Sequence, residues 1–307
     1  MPDHRICFDF DIRFSNGGGL QGQDFRLDLD GEDIGDAALA ERLVRELRLL
    51  MVGEVRILNR RVIVERHKGS GVAPAGDAVE CGADEASRLF DLSHTIEHGT
   101  ITYKGLPAPL ICDYLSREDS RAFYEAGTEF QIGRIDMVSN TGTYIDTPFH
   151  RFADGHDLAG LPLARAADLP GLLVRVEGSE GPAIDWQHFA PFDCRGHAVL
   201  VHTGWDRHWG TDAYFEGHPF LTEKAAEFLR DAGAALVGID SHNIDDTRGR
   251  TRPVHTVLLG AGIPIVEHMT GLSALPVSGF RFSAVPPKVR GMGTFPVRAH
   301  ARVMREP

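Results

Sequence analysis

Asn140-Thr141-Gly142-Thr143-Tyr144-Ile145-Asp146-Thr147-Pro148-Phe149-His150 gathers a glycine, a carboxylate, a proline and an imidazole into one short stretch. Gly142 permits a sharp turn or a close backbone approach, and Pro148 stiffens the chain between Asp146 and His150. Those two residues are four apart with a proline between them. The spacing predicts an irregular segment whose bend brings the two side chains together.

Further along, His255 opens an apolar segment and Glu267 closes it after Ile263-Pro264-Ile265-Val266, a short strand signal. With these residues in view, the stretch 140–150 resembles the signature of the cyclase family, which includes bacterial kynurenine formamidases and isatin hydrolases and reads His-x-Gly-Thr-His-x-Asp-x-Pro-x-His. Gly142, Thr143, Asp146, Pro148 and His150 fit it. Asn140 and Tyr144 stand where the pattern has histidines. His255 and Glu267 have the separation of the family's downstream ligands. Leu92-Ser93-His94, His202-Thr203-Gly204-Trp205, Val237-Gly238-Ile239-Asp240 and Pro296-Val297-Arg298-Ala299 resemble further landmarks. The likeness runs from about Phe90 to the C-terminus.

The resemblance implies a metal set of Asp146, His150, His255 and Glu267. Two carboxylates and two imidazoles suit Zn²⁺, Mn²⁺ or Fe²⁺, and carboxylates crowded together without a counter-charge repel until one takes up a proton. Because the two rewritten positions serve mainly one ion in two-metal relatives, the expectation is one divalent metal, zinc or manganese. The alternative is no metal, with Asn140 and Tyr144 in a hydrogen-bonded cluster. His150 is a fourth ligand or a general base; Tyr144 is an oxyanion donor or fills the space of a lost ion. Asn140, Thr143 and His242 are candidates for contacting substrate, His242 because it follows an apolar strand. Phe149, Phe152, Trp205 and Trp209 suggest an apolar pocket wall.

Outside this region, Arg5–Ser15 and Phe25–Leu29 read as strands, Ala37–Leu50 as a helix N-capped by Asp36 with Leu39, Leu43, Leu47 and Leu50 on one face, and Val55–Leu58 and Val62–Arg66 as two strands. Leu172–Val176, Ala198–Val201 and Ala235–Ile239 are apolar runs suited to buried strands, and Thr222–Ala232 is an amphipathic helix. The expected fold is α/β with a mixed sheet, sharpened by the resemblance to a swivelling β/β/α-type domain. Its parts are a small α/β module at 1–67, a linker at 68–88 and a hydrolase-like domain at 89–307. Gly17-Gly18-Gly19-Leu20-Gln21-Gly22 matches a dinucleotide fingerprint literally but leads into a strand, so it reads as a hairpin loop.

The formal charge is −12 with acids and bases interspersed, which argues against nucleic-acid or anionic-membrane surfaces. No run approaches the roughly 20 apolar residues of a membrane span. Cys7, Cys81, Cys112 and Cys194 form no Cys-x-x-Cys pair and read as reduced thiols of a cytoplasmic protein. The resemblance implies a homo-oligomer acting on a small molecule: a metal-dependent hydrolase of an amide, formamide or lactone. Two rival classes remain open, a metal-free binding protein and an acid/base lyase or isomerase.

Overall fold

The computed structural model describes residues 3–15, 19–29, 34–47, 52–65, 87–178 and 181–304. The chain divides into two compact units, one of Met1–Val72 with Leu110–Asp136 and one of Ala73–Pro109 with Met137–Pro307. Residues 110–136 therefore group with the N-terminal module, although they fall inside the 89–307 segment defined from sequence. The segment expected as linker lies outside the described residues except for Ser87 and Arg88.

In the first unit, β1 (Asp3–Phe14), β2 (Gly19–Asp28) and β3 (Val52–Glu65) form an antiparallel sheet of order β2-β1-β3. Alternation along β1 sends Ile6, Phe8, Phe10 and Ile12 into a core completed by Leu39 and Leu43 of helix α1 (Asp36–Glu46). Three expectations are corrected here. Gly35, not Asp36, is the N-cap. The second strand begins at Gly19, because Gly22 leaves the space that the Phe10 ring fills. Residues 52–65 are one strand, since Asn59 takes a positive φ of 50° and the ladder to β1 absorbs the irregularity as a register shift instead of breaking. Residues 16–18 of the expected hairpin loop lie outside the described residues.

The second unit opens with β4 (Ser87–Asp91). The hairpin of β5 (Leu110–Leu115) and β6 (Ile132–Asp136), with the short helix α2 (Arg117–Ser120), belongs to the first. The chain then continues through β7 (Tyr144–Asp146), β8 (Leu169–Arg175), β9 (Ala183–Ile184), β10 (Ala198–His202), β11 (Phe220–Leu221), α3 (Glu223–Asp231), β12 (Leu236–Ile239), α4 (Pro253–Gly260), β13 (Ile265–Glu267), β14 (Phe280–Ser283), β15 (Thr294–Pro296) and β16 (His300–Met304). Nine of these strands make one mixed sheet of order β15-β7-β13-β12-β10-β8-β14-β16-β4. Its centre, β13-β12-β10-β8, is parallel and its flanks are antiparallel.

The central strands are apolar on both sides because both faces are covered. Val199, Val201, Val237, Ile239 and Ile265 face a core shared with Leu229 of α3 and Leu258 of α4. Leu200, Leu236 and Val266 point the other way, toward Ile145, Phe280 and Phe282. Since Phe280 and Phe282 belong to β14 of the same sheet, the sheet curls around this second core. Thr222 caps α3 by accepting from the Ala225 N–H at 3.1 Å. No helix is long and apolar enough to cross a membrane among the described residues. Cys112 and Cys194 are in no disulfide, and Cys81 lies outside the described residues.

Because α4 carries His255 and is held to the sheet by Leu258, which is fully buried, truncation there loosens the site as well as the fold. Leu258→Ala should lower unfolding free energy by about 2–5 kcal/mol, read from the urea midpoint.

Candidate metal centre

Strand pairing puts the first components together. Tyr144 and Asp146 are two apart on β7 and share a face. Across the antiparallel ladder to β13, Glu267 lies opposite Tyr144; across the ladder to β15, Thr294 lies opposite Asp146. The consequence is two cross-strand hydrogen bonds. The Tyr144 hydroxyl donates to Glu267 Oε2 at 2.6 Å, and the Thr294 hydroxyl donates to Asp146 Oδ1. Ile145, between them, points into the core.

A parallel crossover brings the rest. After β12 the loop carries Asp245, whose carboxylate caps α4 from a distance: Oδ1 accepts from Val254 N–H at 2.8 Å and Oδ2 from His255 N–H at 3.0 Å. The same Oδ2 lies 2.6 Å from His255 Nδ1. A carboxylate only accepts at this distance, so Nδ1 carries the hydrogen and Nε2 is turned toward Asp146 Oδ2 (3.6 Å) and Glu267 Oε1 (3.8 Å). Glu267 Oε1 also accepts from the Ile244 N–H at 2.6 Å.

His150 is reached through the bend. Pro148–His150 is a single 3-10 turn after β7, and Gly293 makes it possible, since a Cβ there would sit 2.3 Å from the His150 backbone nitrogen. Gly142, with φ of 66°, likewise sits where a Cβ would meet Ile96 at 2.8 Å. His150 Nδ1 is 2.8 Å from Thr294 Oγ1. Thr294 has one proton, which goes to Asp146, so His150 Nδ1 is the donor and Nε2 is left as a base.

Asp146, His150 and His255 each bring one donor atom within 4.8 Å of the other two. Asp146 Oδ2 is buried without a hydrogen-bond partner, an arrangement that costs free energy unless something positive meets it. The Asp146 and Glu267 carboxylates around the His255 imidazole, with His150 at hand as ligand or base, suit a first-row divalent cation, so the residues present fit one. Burial by itself would lower the His255 imidazolium, but the Asp146 and Asp245 carboxylates and the Glu267 charge more than offset it and raise its pKa to about 10. A proton on His255 thus supplies positive charge that a cation must displace. Burial holds Glu267 above the usual carboxylate range and, with Glu267 and Asp146 nearby, Tyr144 well above the usual phenol.

These residues open on a cavity of about 230 Å³ with Asn140, Tyr144, His150, His255 and Glu267 in its lining. Tyr103, Leu106, Arg151, Asn243 and Arg252, none singled out from sequence, complete it. Thr143 and His242, expected to contact substrate, do not line it. The Thr143 hydroxyl donates to the His268 carbonyl and accepts from the His94 N–H at 3.0 Å. His242 is buried among Tyr103, Tyr214, Phe215 and His218. The aromatic wall is also corrected: Phe152 packs against the core and Trp209 stacks on His94 with centroids 3.8 Å apart, while Phe149 and Trp205 are absent from the lining. Asp245 and Thr294 were missed. Asp245 shares the post-strand loop that drew attention to His242; Thr294 has no local signal, because only strand pairing places it.

The model named Putative cyclase matches residues 90–246. Over 176 residues the chain is 30% identical to a kynurenine formamidase of Geobacillus thermodenitrificans (strain NG80-2), covering 56% of this chain and 80% of that one. A solved structure described as a potential metal-dependent hydrolase with cyclase activity superimposes with TM-score 0.59 at 27% identity, over 72% of this chain and 100% of its own. Isatin hydrolase A from Labrenzia aggregata, bound to benzyl benzoate, shares the fold with TM-score 0.61 at 20% identity, over 71% of this chain and 94% of its own.

Three outcomes test this geometry. Asp245→Asn, which weakens the hold on Nδ1, should reduce Zn²⁺ affinity about 10–100-fold by calorimetry. Gly293→Ala should displace His150 and abolish any turnover while circular dichroism stays native. Burial lowers the pKa of His94 to about 4 and of His242 to about 3. The unfolded chain takes up these protons near pH 6.5 and the folded one does not, so their contribution is fully present above pH 6.5 and is lost as pH falls toward 4 and 3. Urea midpoints should drop over that window, less steeply in His242→Phe.

Proposed function

The chain belongs to the cyclase family, and from that premise we propose that it is a metal-dependent hydrolase of a small amide, formamide or lactone. The observation that carries this reading is the buried, unpartnered Asp146 Oδ2 facing a His255 Nε2 whose tautomer Asp245 fixes. The kynurenine formamidase name of the relative makes a formamide the first substrate to try. The swivelling β/β/α architecture, the hydrolase-like domain at 89–307, a homo-oligomeric state and a cytoplasmic location belong to the same proposal.

Asp146 and His255 would hold one divalent cation, zinc or manganese, with Glu267 beside them, since Asp146 Oδ2 and Glu267 Oε1 converge on His255 Nε2. When bound, such a cation supplies Lewis acidity, polarising a substrate carbonyl and making water easier to deprotonate. Tyr144 donates to the Glu267 oxygen away from Ile244, and Asp146, His150 and His255 are the one ligand group found among the described residues, which is why one cation and not two is proposed. Its proton is committed there, so Tyr144 positions Glu267 and does not serve as oxyanion donor.

His150 is the general base. Its Nδ1–H is anchored through Thr294 to Asp146, its side chain is 35% exposed, and its Nε2 is free to take a proton from water and return it to the leaving nitrogen or oxygen. Asn140 lines the cavity with an amide that can orient a substrate carbonyl or N–H.

Elemental analysis of protein purified without chelator should find about one equivalent of zinc or manganese, absent from His255→Ala. His150→Gln should keep the metal and lose about 10²–10⁴-fold in turnover of formanilide. Loss of metal in His150→Gln would make His150 a ligand. Wild-type protein that takes up neither ion would return the choice to a metal-free binding protein or an acid/base enzyme.

A further inference from the structure

We propose that this cavity receives a substrate bearing a carboxylate, held at its rim by Arg252 with Arg151 beside it. The proposal rests on the hydrolase reading for the reacting end and adds the class of compound that reaches it.

The cavity is electrostatically divided. Its floor is made by Tyr144, Glu267 and His255, all buried, with Asp146 behind them. At the rim lie two guanidiniums, Arg252 half-buried and Arg151 exposed. Arg252 is preset: its Nη1 donates to the carbonyls of Thr251 (2.8 Å), Gly249 (3.0 Å) and Asp246 (3.3 Å). Arg151 is tied to the same place, because its Nε donates to Thr256 Oγ1 at 3.2 Å and that hydroxyl donates to the Arg252 carbonyl at 2.7 Å.

Neither guanidinium forms an ion pair among the described residues, whereas Arg207, Arg281, Arg298 and Arg302 each have an acid. Asp246, which is near in sequence, has its carboxylate taken by Arg248 at 2.9 Å. In a chain with 44 acidic and 32 basic residues, two arginines at the rim of one cavity, neither paired with an acid among the described residues, are matched to an anion from outside. Arginine's planar fork suits a carboxylate. The floor carboxylates repel a second anion, so the charge belongs at the rim and the neutral scissile carbonyl at the floor. Asn243, also in the lining, offers an amide to the polar groups between.

N-formylanthranilate and formanilide differ only by the carboxylate and test the proposal. The wild type should prefer N-formylanthranilate by about tenfold to a hundredfold in kcat/KM, the range of a hydrogen-bonded charge pair. Arg252→Met should erase that preference by raising KM for N-formylanthranilate, with Arg252→Lys intermediate and Arg151→Met weaker in effect. Equal use of the two compounds by the wild type, or a preference that survives Arg252→Met, overturns it. Calorimetric binding of anthranilate against aniline separates this from the hydrolase reading. If neither formamide is cleaved but anthranilate binds tighter and needs Arg252, the carboxylate site stands and the hydrolase reading fails. If anthranilate binds no better than aniline, the carboxylate site is wrong whatever the turnover. Should Arg252→Met not fold, the wild-type comparison alone decides.

Discussion

Three carboxylates, Asp146, Asp245 and Glu267, are fully buried around one imidazole, and the second unit is organised to make that tolerable. Charges this far from water must be paired and hydrogen-bonded or they neutralise. Asp245 is satisfied by the first turn of α4 and by His255 Nδ1; Glu267 by Tyr144 and Ile244; Asp146 Oδ1 by Thr294. The remaining oxygen, Asp146 Oδ2, is where the positive charge goes. Sheet order, helix position and the tight turn at Pro148 all serve to bring these groups to one point.

Asn140 and Tyr144 line the site as neutral groups. The phenol at position 144 keeps the Glu267 oxygen satisfied with a proton. An amide at 140 leaves an uncharged lining group.

Much of the site was legible in the sequence because it lies within two segments, 140–150 and 255–267, whose internal spacing is local. The parallel centre of the sheet was legible from short apolar runs, since strands covered on both faces leave that mark. Asp245, Thr294, Arg151 and Arg252 were not, because their roles come from register and crossover, which join residues more than a hundred positions apart in the case of Asp146 and Thr294. His242 misled for a physical reason: it follows the right strand, yet the loop turns its ring into an aromatic core and presents Asp245 instead.

Calorimetric titration of metal-free protein with Zn²⁺ at pH 7, repeated in buffers of different ionisation enthalpy, bears most directly on the account, because it counts ions and released protons together. One equivalent bound with release of about one proton, the one held on His255, is the predicted result. Two equivalents, or no binding at all, would contradict it.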